Sequence, residues 1–301
     1  MPSEIADSSE AQLDPEDVLG DSLQTLYDYA PITHSSAGSL FRYTLPARAP
    51  SAATPETTEQ PAPDVITLET PTTHAGNWAL HASSIWTAAL FAAAHPEHLA
   101  LEQHIALARQ SGGAPVRVLE LGAGAGLPSI VLAKTYTQDV HVTASDYPDA
   151  ALVRALRENV ARNGVAERCA VVPHAWGADA APLLAGTARN GGADAGFDVV
   201  LAADTLWNPE AHALFLGTLR AVLRRTRGAR VHLVAGLHTG RYTLQAFVRM
   251  LREYGFVLEE AVEWEVGGAG TRAWDVARAE GEEEKERRRW VVCMRVKWKD
   301  V

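Results

Sequence analysis

VLELGAGAGLPSI, residues 118–130, is the stretch of this 301-residue chain that decides the fold. An apolar run that starts at Val116 is interrupted by one acid, Glu120, and then gives way to alternating glycines. This pattern predicts a buried parallel strand that ends in a tight turn and opens a helix. Glycine permits the positive φ of such a turn, and the free N–H groups at the helix start favour a nucleotide-type ligand.

Strands and helices alternate in the residues that follow this stretch. Right-handed crossovers between such strands build a parallel sheet that is covered on both faces. The predicted parallel strands are 116–121, 139–145, 168–173, 197–203 and 229–236, and the predicted helices lie near 127–135, 149–163, 209–226 and 240–254.

Two further strand-like runs, 257–266 and 290–298, have no clear helix between them, so we expect them to pair antiparallel. The predicted fold class is therefore α/β: a Rossmann-like, doubly wound, seven-stranded sheet of five parallel strands and a C-terminal antiparallel hairpin. The charged insert between the two runs, about 267–289, is interpreted as an exposed linker of no specific role. Glu284 and Arg288 are four residues apart within it, which favours a short solvated helix.

The residues before this domain are predicted as an N-terminal helical and β-hairpin extension, 1–75, with a disordered start. FRYTLP (41–46) and DVITLET (64–70) predict the hairpin. The loop between them, 46–63, is rich in proline, alanine and threonine and is expected to be mobile. The main domain is predicted to cover 76–301. Helices are predicted to begin at Asp14, Asn77 and Pro96.

Composition excludes several classes of protein. The formal net charge of −10 argues against a general nucleic-acid binder. The start of the chain is acidic and polar, unlike a signal peptide, and no apolar run is long enough to span a bilayer. Cys169 and Cys293 lie in apolar runs and are expected to be buried reduced thiols, and no Cys/His cluster has zinc spacing, so no metal is expected. We expect a monomeric cytoplasmic protein, with the nucleus as a second location.

Two classes of cofactor bind at a glycine-rich turn after a first strand. A dinucleotide fingerprint needs a third glycine where this chain has Leu127, and Gly126 comes one residue early. Glu120 stands where a dinucleotide-binding strand is normally apolar, and a buried carboxylate is costly unless it is paired. The ammonium of S-adenosylmethionine would provide that pairing, directly or through water. The pattern therefore favours S-adenosylmethionine over NAD.

The second strand supports the same pocket. VHVTASDYPD (140–149) places Asp146 at the carboxyl end of the strand, 24 residues after Gly122. A carboxylate in that position can accept hydrogen bonds from both ribose hydroxyls of an adenosine. The alternative for Asp146 is a helix N-cap, a role for which Asp149 is better placed.

Together these residues resemble the seven-β-strand S-adenosylmethionine-dependent methyltransferases. They are most similar to the branch that modifies protein lysines and N-terminal amines, the nicotinamide N-methyltransferase-like methyltransferase family 16. The glycine motif alone indicates only a methyltransferase, and its combination with aromatic residues on other segments is more specific. The segments that carry the resemblance are HASSIWTAAL (81–90), VLELGAGAGLPSI (118–130), ASDYPD (144–149), HAWG (174–177) and FDVVLAADTLWNPEAH (197–212).

The resemblance implies roles for single residues. Trp86 would touch the cofactor from a helix before the sheet, and Trp176 would lie over the adenine. Ala203 would stand just before the acceptor motif. The expected cofactor-binding residues are Trp86, Glu120, Gly122, Ala123, Gly124, Gly126, Asp146, Tyr147, Trp176 and Ala203.

The acceptor site is expected where Asp204-Thr205-Leu206-Trp207 follows the fourth strand. The family has Asp-x-x-Tyr/Phe there, so Trp207 keeps an aromatic wall but loses the hydroxyl. Asp204 is interpreted as an orienter of the acceptor amine, and Asn208 either holds that amine or caps the turn at Pro209. His238 would take a proton or contact the substrate, although a surface histidine at a strand end is equally expected. The candidate catalytic residues are Asp204, Trp207, Asn208 and His238, whereas His81 and His174 are interpreted as structural.

Three functions remain open on the sequence. The first is an S-adenosylmethionine-dependent N-methyltransferase that acts on a lysine or N-terminal amine of a protein, such as a translation elongation factor. The second is a small-molecule N-methyltransferase of the nicotinamide type. The third is a cofactor-binding scaffold without turnover, which the departure at Trp207 keeps open.

Overall fold

The polypeptide forms an eight-stranded sheet with helices on both faces and a separate two-stranded hairpin. The structure, a computed structural model, describes residues 30–46, 64–72, 80–185, 187 and 195–301. The predicted disordered start, the helix from Asp14 and all of the loop 46–63 except its first residue lie outside the described residues. Within the described residues, no helix has both the length and the apolar character that crossing a membrane requires.

The strands agree closely with the predicted runs, because buried apolar segments of this length mark strands clearly. The strands are β1 (Leu40–Thr44), β2 (Val65–Glu69), β3 (Val116–Leu121), β4 (Val140–Asp146), β5 (Cys169–Pro173), β6 (Val199–Ala203), β7 (Arg230–Gly236), β8 (Phe256–Glu265), β9 (Thr271–Ala273) and β10 (Trp290–Trp298).

Helices occupy both faces of the sheet, and short 3-10 turns extend several of them. The α-helices are α1 (Thr87–Ala94), α2 (Leu101–Gln110), α3 (Leu127–Thr135), α4 (Ala150–Arg162), α5 (Ala181–Leu184), α6 (His212–Val222), α7 (Arg241–Met250) and α8 (Glu284–Arg288). The 3-10 turns are Pro96–Leu99, Pro209–Ala211, Leu237–Thr239, Leu251–Tyr254 and Val276–Glu280.

The large sheet has the strand order β5-β4-β3-β6-β7-β10-β8-β9. Strands β3 to β7 run parallel, and β10 lies antiparallel between β7 and β8. The predicted α/β class, with five parallel strands and a C-terminal hairpin, is confirmed. The predicted number of seven strands is wrong, because β9 adds an eighth strand that pairs antiparallel with β8. Three residues are too short a run to show a strand period in the sequence.

The N-terminal hairpin is part of the same core as the main domain. Strands β1 and β2 pair antiparallel as predicted, and Ile66 and Leu68 of β2 are fully buried. Asn159 of α4 and Asn163, the C-cap residue of this helix, each accept a hydrogen bond from a backbone N–H of β2 and donate one to a carbonyl of the same strand. These paired amide bonds fix β2 along α4.

The helix that was predicted to begin at Asn77 starts later in the structure. Residues 77–79 lie outside the described part of the chain, residues 81–84 form turns, and α1 begins only at Thr87. Trp86 is the N-cap residue of α1, with an extended backbone. The indole is therefore attached at the start of the helix rather than along one of its faces.

The charged insert is not an exposed linker of no specific role. It contains β9 and α8, and it contributes to a buried group of charges that we call the insert cluster. In this cluster the Arg241 guanidinium, 1% exposed, donates to Glu263 at 2.5 and 2.8 Å and to Glu282 at 2.7 and 2.9 Å. The insert cluster consists of Arg241, Glu263, Arg272, Arg278 and Glu282.

Candidate active site

A cavity of about 570 Å³ opens at the carboxyl edge of the parallel strands. Ligands of open α/β sheets bind at this edge, because the loops after neighbouring strands meet there. Of the predicted site residues, all but Glu120 and Gly126 line it. The predicted residues in its wall are Trp86, Gly122, Ala123, Gly124, Asp146, Tyr147, Trp176, Ala203, Asp204, Trp207, Asn208 and His238.

The glycine turn forms one wall of this cavity. Gly122 and Gly124 have φ values of 73° and 54°, which glycine adopts without strain. A Cβ on Gly122 would lie 2.8 Å from Cγ2 of Thr205, in the acceptor loop. The backbone N–H groups of Gly122 and Ala123 both donate to the Ser145 carbonyl, at 2.9 and 3.0 Å. The turn is therefore held between β4 and the acceptor loop.

Asp146 connects the glycine turn to the end of β4. Its Oδ2 accepts from the Gly124 N–H and its Oδ1 from the Tyr147 N–H, both at 2.6 Å. Burial raises the pKa of this carboxyl to about 6, against the opposing effect of the two backbone bonds. Each oxygen keeps a further lone pair, so the side chain can also accept from ribose hydroxyls. The position fits the predicted ribose contact.

Glu120 does not fit its predicted place in the cofactor pocket. Side chains alternate along a strand, and Glu120 shares the face of β3 that meets α3. Its Oε2 accepts from the backbone N–H of Ser129 at 2.9 Å and from the Ser129 hydroxyl, and the side chain is 1% exposed. Burial raises the pKa of this carboxyl to about 8, so at neutral pH it is mostly protonated. Ser129 is the hydrogen-bond partner of Glu120, whose side chain does not line the cavity.

Gly126 also has a different role from the one predicted. It lies outside the cavity wall and is the N-cap of α3, with φ 89°. A Cβ there would lie 2.5 Å from Cδ1 of Leu156 on α4. Gly126 therefore permits close packing of two helices and does not line the cavity.

Aromatic rings line further parts of the cavity wall. Trp86 stacks on His238 with ring centroids 5.3 Å apart and planes 18° apart. His81 meets Trp207 edge to face at 4.9 Å, and its carbonyl accepts from the Trp86 indole N–H at 2.8 Å. Trp176 lies against Phe215 at 4.8 Å. Indole and imidazole faces therefore enclose the space next to Asp204.

His81 is a member of this wall that the sequence interpretation assigned to structure alone. Its φ of 51° places a non-glycine residue in the left-handed region, and this turn brings its ring between the two tryptophans. No periodic pattern in the sequence signals such a turn. In the sequence, only its proximity to Trp86 in the HASSIW segment points to a place in the cavity wall.

Asp204 holds the acceptor end of the cavity together. Its Oδ1 accepts from the Gly236 N–H at the end of β7, at 2.7 Å, and its Oδ2 from the Ala88 N–H in the first turn of α1, at 3.3 Å. Its own φ is 52°. Burial raises the pKa of the Asp204 carboxyl, and the neighbouring His238 opposes this shift. One carboxylate thus joins the ends of β6 and β7 to the start of α1.

His238 and Asn208 complete the acceptor end in different ways. Burial is the largest influence on His238 and lowers the pKa of its imidazole, which is therefore mainly neutral near pH 7, while Asp204 acts in the opposite direction. The Asn208 side-chain oxygen accepts from the Glu210 N–H at 3.0 Å, which is the capping alternative considered for it. This cap uses one lone pair of the amide oxygen, so the structure supports the capping alternative, and the contact with the acceptor amine stays a prediction.

Comparison with known proteins decides the family. The sequence model of a lysine methyltransferase family matches residues 73–253, well over half of the chain. The chain belongs to this family. This match confirms the family that the sequence resembles and confirms S-adenosylmethionine as the methyl donor. Three features of the cavity fit that donor. Asp146 supplies a hydrogen-bond acceptor, the glycine turn allows a close approach of the backbone, and Trp176 supplies an aromatic face.

The chain is also similar to curated fungal proteins. It is 33% identical over 162 residues, 48% of this chain and 54% of the other, to the "protein N-terminal and lysine N-methyltransferase efm7" of Neurospora crassa. It is 32% identical to the protein of the same name in Gibberella zeae, over 48% of this chain and 58% of the other. It is 29% identical to that of Schizosaccharomyces pombe, over 49% of this chain and 57% of the other. The chain thus spans little more than half the length of the curated relatives it matches. Among solved structures, a methyltransferase from Aquifex aeolicus has a TM-score of 0.41 at 16% identity, over 64% of this chain and 88% of that one.

Proposed function

We propose that this lysine methyltransferase family member transfers a methyl group from S-adenosylmethionine to a lysine or N-terminal amine of a protein. The observation that carries the proposal is the continuity of the cavity. The same space is lined at one end by the glycine turn and Asp146 and at the other by Asp204 and Trp207. Donor and acceptor groups can therefore meet inside it without passing through solvent.

The donor end binds and orients. Asp146 and the glycine turn receive the ribose and amino-acid parts of the donor, and the Trp176 face receives the adenine. When bound, S-adenosylmethionine supplies a methyl carbon already activated by its sulfonium. The protein must therefore mainly position the acceptor in line with that carbon and exclude water.

The acceptor end prepares the amine. Aromatic walls remove water from an approaching ammonium and lower its pKa, which favours the neutral nucleophile. Both oxygens of Asp204 are engaged by backbone N–H groups, so its role is to hold the site in shape and to offer negative charge. His238, with its lowered pKa, accepts the amine proton and passes it to solvent, since its side chain is only partly buried. The neutral amine held beside Asp204 and His238 would then be ready to accept the methyl group that bound S-adenosylmethionine would supply.

The rim of the cavity supports a protein acceptor over a small molecule. Tyr147 and Leu214 line the cavity and are 42% and 53% exposed. Large apolar side chains exposed at the mouth of a site favour contact with a macromolecular surface. Relatives named as protein N-terminal and lysine N-methyltransferases support the same choice. We propose a translation elongation factor as the partner, and hence action in the cytoplasm.

Labelled S-adenosylmethionine with cell lysate tests this function. We expect label in a protein band that mass spectrometry assigns to a methylated lysine or N-terminus. The Asp204→Asn variant, with its cofactor binding checked by calorimetry, serves as the control and should leave the band unlabelled. Cofactor binding without transfer to any protein would favour the scaffold, and faster transfer to nicotinamide than to protein would favour the small-molecule enzyme.

A further inference from the structure

Two imidazoles and one carboxylate come together at the C-terminal end of α1. His95 ends this helix, and the 3-10 turn Pro96–Leu99 follows it. Residues three apart on a 3-10 turn lie one above the other, so His95 and His98 share a side, with ring centroids 5.5 Å apart. Glu97 reaches back, and its Oε1 lies 2.9 Å from Nδ1 of His95. Ligand atoms of all three residues lie within 4.8 Å of one another.

The surroundings of the cluster are apolar. Phe91, one helical turn before His95, lies 4.5 Å from its ring and stacks on His98 at 5.7 Å with planes 6° apart. Trp264 of β8 also contacts His98, with ring centroids 4.4 Å apart, and lies 6.3 Å from Phe91. These aromatic walls fix the imidazoles in place before any ligand arrives.

One polar atom in this box has no partner. Nε2 of His98 is buried and makes no hydrogen bond to any described residue. A buried polar atom without a hydrogen bond is unfavourable, so such an atom needs a specific reason. Packing alone would be served equally well by a phenylalanine in this position.

We propose that His95, Glu97 and His98 form a binding site for a divalent transition-metal ion of the Zn²⁺ type. Two imidazoles and a carboxylate form a ligand set that suits Zn²⁺ and leaves a coordination position for water. Tetrahedral ligands at zinc distances lie roughly 3.4 Å apart. The three ligand atoms already lie within 4.8 Å of one another and the Glu97 side chain is 62% exposed, so small side-chain movements are enough to reach this spacing. No zinc-type spacing was evident in the sequence because the 3-10 turn, not an α-helix, aligns the histidines.

The site lies at the opposite end of α1 from the cavity. An eight-residue helix is roughly 12 Å long, so the ion would not reach the donor or acceptor. Its ligands lie on the end of α1 and the turn that follows, against Trp264. A bound ion would therefore stabilise the folded chain without taking part in methyl transfer.

Zn²⁺ titration of the full, tag-free chain after chelator treatment tests the site. Calorimetry should show one Zn²⁺ per chain at micromolar affinity or tighter, and Mg²⁺ should bind at least a hundredfold more weakly, because it prefers all-oxygen ligands. The double variant His95→Gln/His98→Gln should lose at least a hundredfold in Zn²⁺ affinity, and Glu97→Gln about tenfold. Thermal unfolding should shift upward with Zn²⁺ in the wild type but not in the double variant.

A matched control removes a histidine and a glutamate elsewhere. His141→Gln/Glu158→Gln changes one residue on β4 and one on α4, and should keep both the Zn²⁺ affinity and the thermal shift. Glu97 is exposed, so the Glu97→Gln variant should fold normally. It therefore still tests the site if the double variant does not fold. Equal Zn²⁺ affinity in Glu97→Gln and the control, or no Zn²⁺ binding by the wild type, would overturn the proposal.

Discussion

Buried carboxylates occur in two regions of this protein, and the two groups have opposite partners. The cavity-side carboxylates, Asp146 and Asp204, accept from backbone N–H groups, and neither forms an ion pair with an arginine or lysine of the described residues. Glu263 and Glu282 of the insert cluster instead accept from arginine guanidinium groups. Burial raises the pKa of the first pair, and the arginines lower the pKa of the second against the effect of burial.

The difference separates a binding site from a structural site. In the insert cluster the chain itself provides the cations, so the charges are satisfied in the folded protein. At the cavity, neutral dipoles hold the negative charge in place, and no arginine or lysine of the described residues pairs with it. A sulfonium and an ammonium are cations that would complete it. A raised carboxyl pKa therefore marks the binding site, whereas a lowered carboxyl pKa marks the structural cluster of ion pairs.

Removal of the central arginine should have the largest effect. Arg241→Met leaves Glu263 and Glu282 buried with fewer cations, and breaking such a pair costs about 3–5 kcal/mol in the free energy of unfolding. Urea unfolding followed by circular dichroism measures this. Arg289→Met, which removes a partly exposed pair with Glu265, is the control and should cost less than about 1 kcal/mol. Similar losses in both variants would show that the insert cluster is no more important than a surface pair.

Glu120 provides the next largest effect, as a pH dependence. The folded chain keeps its proton up to about pH 8, whereas an unfolded glutamate releases it near pH 4.5. The folded state therefore binds more protons between these values, and stability falls as pH rises, by about 1.4 kcal/mol per unit for this group. Glu120→Gln should remove this decline. Urea unfolding at about pH 5 and about pH 8 checks it, and an unchanged difference in the variant would contradict the buried acid.

Asp204→Asn should lower turnover about a hundredfold, as losing fixed negative charge at a reacting centre does. Asparagine tolerates the left-handed backbone at this position, so the fold should be kept. The affinity for S-adenosylmethionine, measured by calorimetry, should change little. Equal losses of turnover and affinity would move Asp204 to the donor end of the cavity.

The smallest of these effects is expected at the donor end. Asp146→Ala should weaken S-adenosylmethionine binding about tenfold, because charge-assisted hydrogen bonds to the ribose are lost. The carboxyl pKa of about 6 adds a second check: the affinity of the wild type should fall as pH drops below 6, where this group becomes neutral, and the variant should lack that fall. Unchanged calorimetric affinity in Asp146→Ala would refute the ribose contact.

The sequence predicts features that arise from periodicity and strand ends. Buried apolar runs mark the parallel strands, and the polar residues that follow them, Asp146, Asp204 and His238, meet because parallel strands end at one edge. Which face of β3 carries Glu120 could not be predicted, because both faces of a central strand are buried. The position of His81 in the cavity wall depends on a left-handed backbone conformation, and a histidine in the sequence does not indicate one.

The insert cluster escaped prediction for another reason. Arg241 pairs with Glu263 and Glu282, which are 22 and 41 residues away along the chain. Charge pairs over such separations have no fixed spacing, and a charged run is ordinarily solvent-exposed. Only the folded structure, in which Arg241 at the start of α7 meets Glu263 of β8 and Glu282 of the insert, shows that these charges are buried together.

The asparagine bonds between α4 and β2 have a consequence for any shortened form of the protein. A fragment cut at residue 76 would keep every cavity residue but lose Ile66 and Leu68, uncovering apolar surface on α3 and α4. The freed Asn159 and Asn163 amides and that exposed surface would together favour association with other chains. Recombinant versions trimmed to the catalytic fold should therefore precipitate, while versions that retain the hairpin stay in solution.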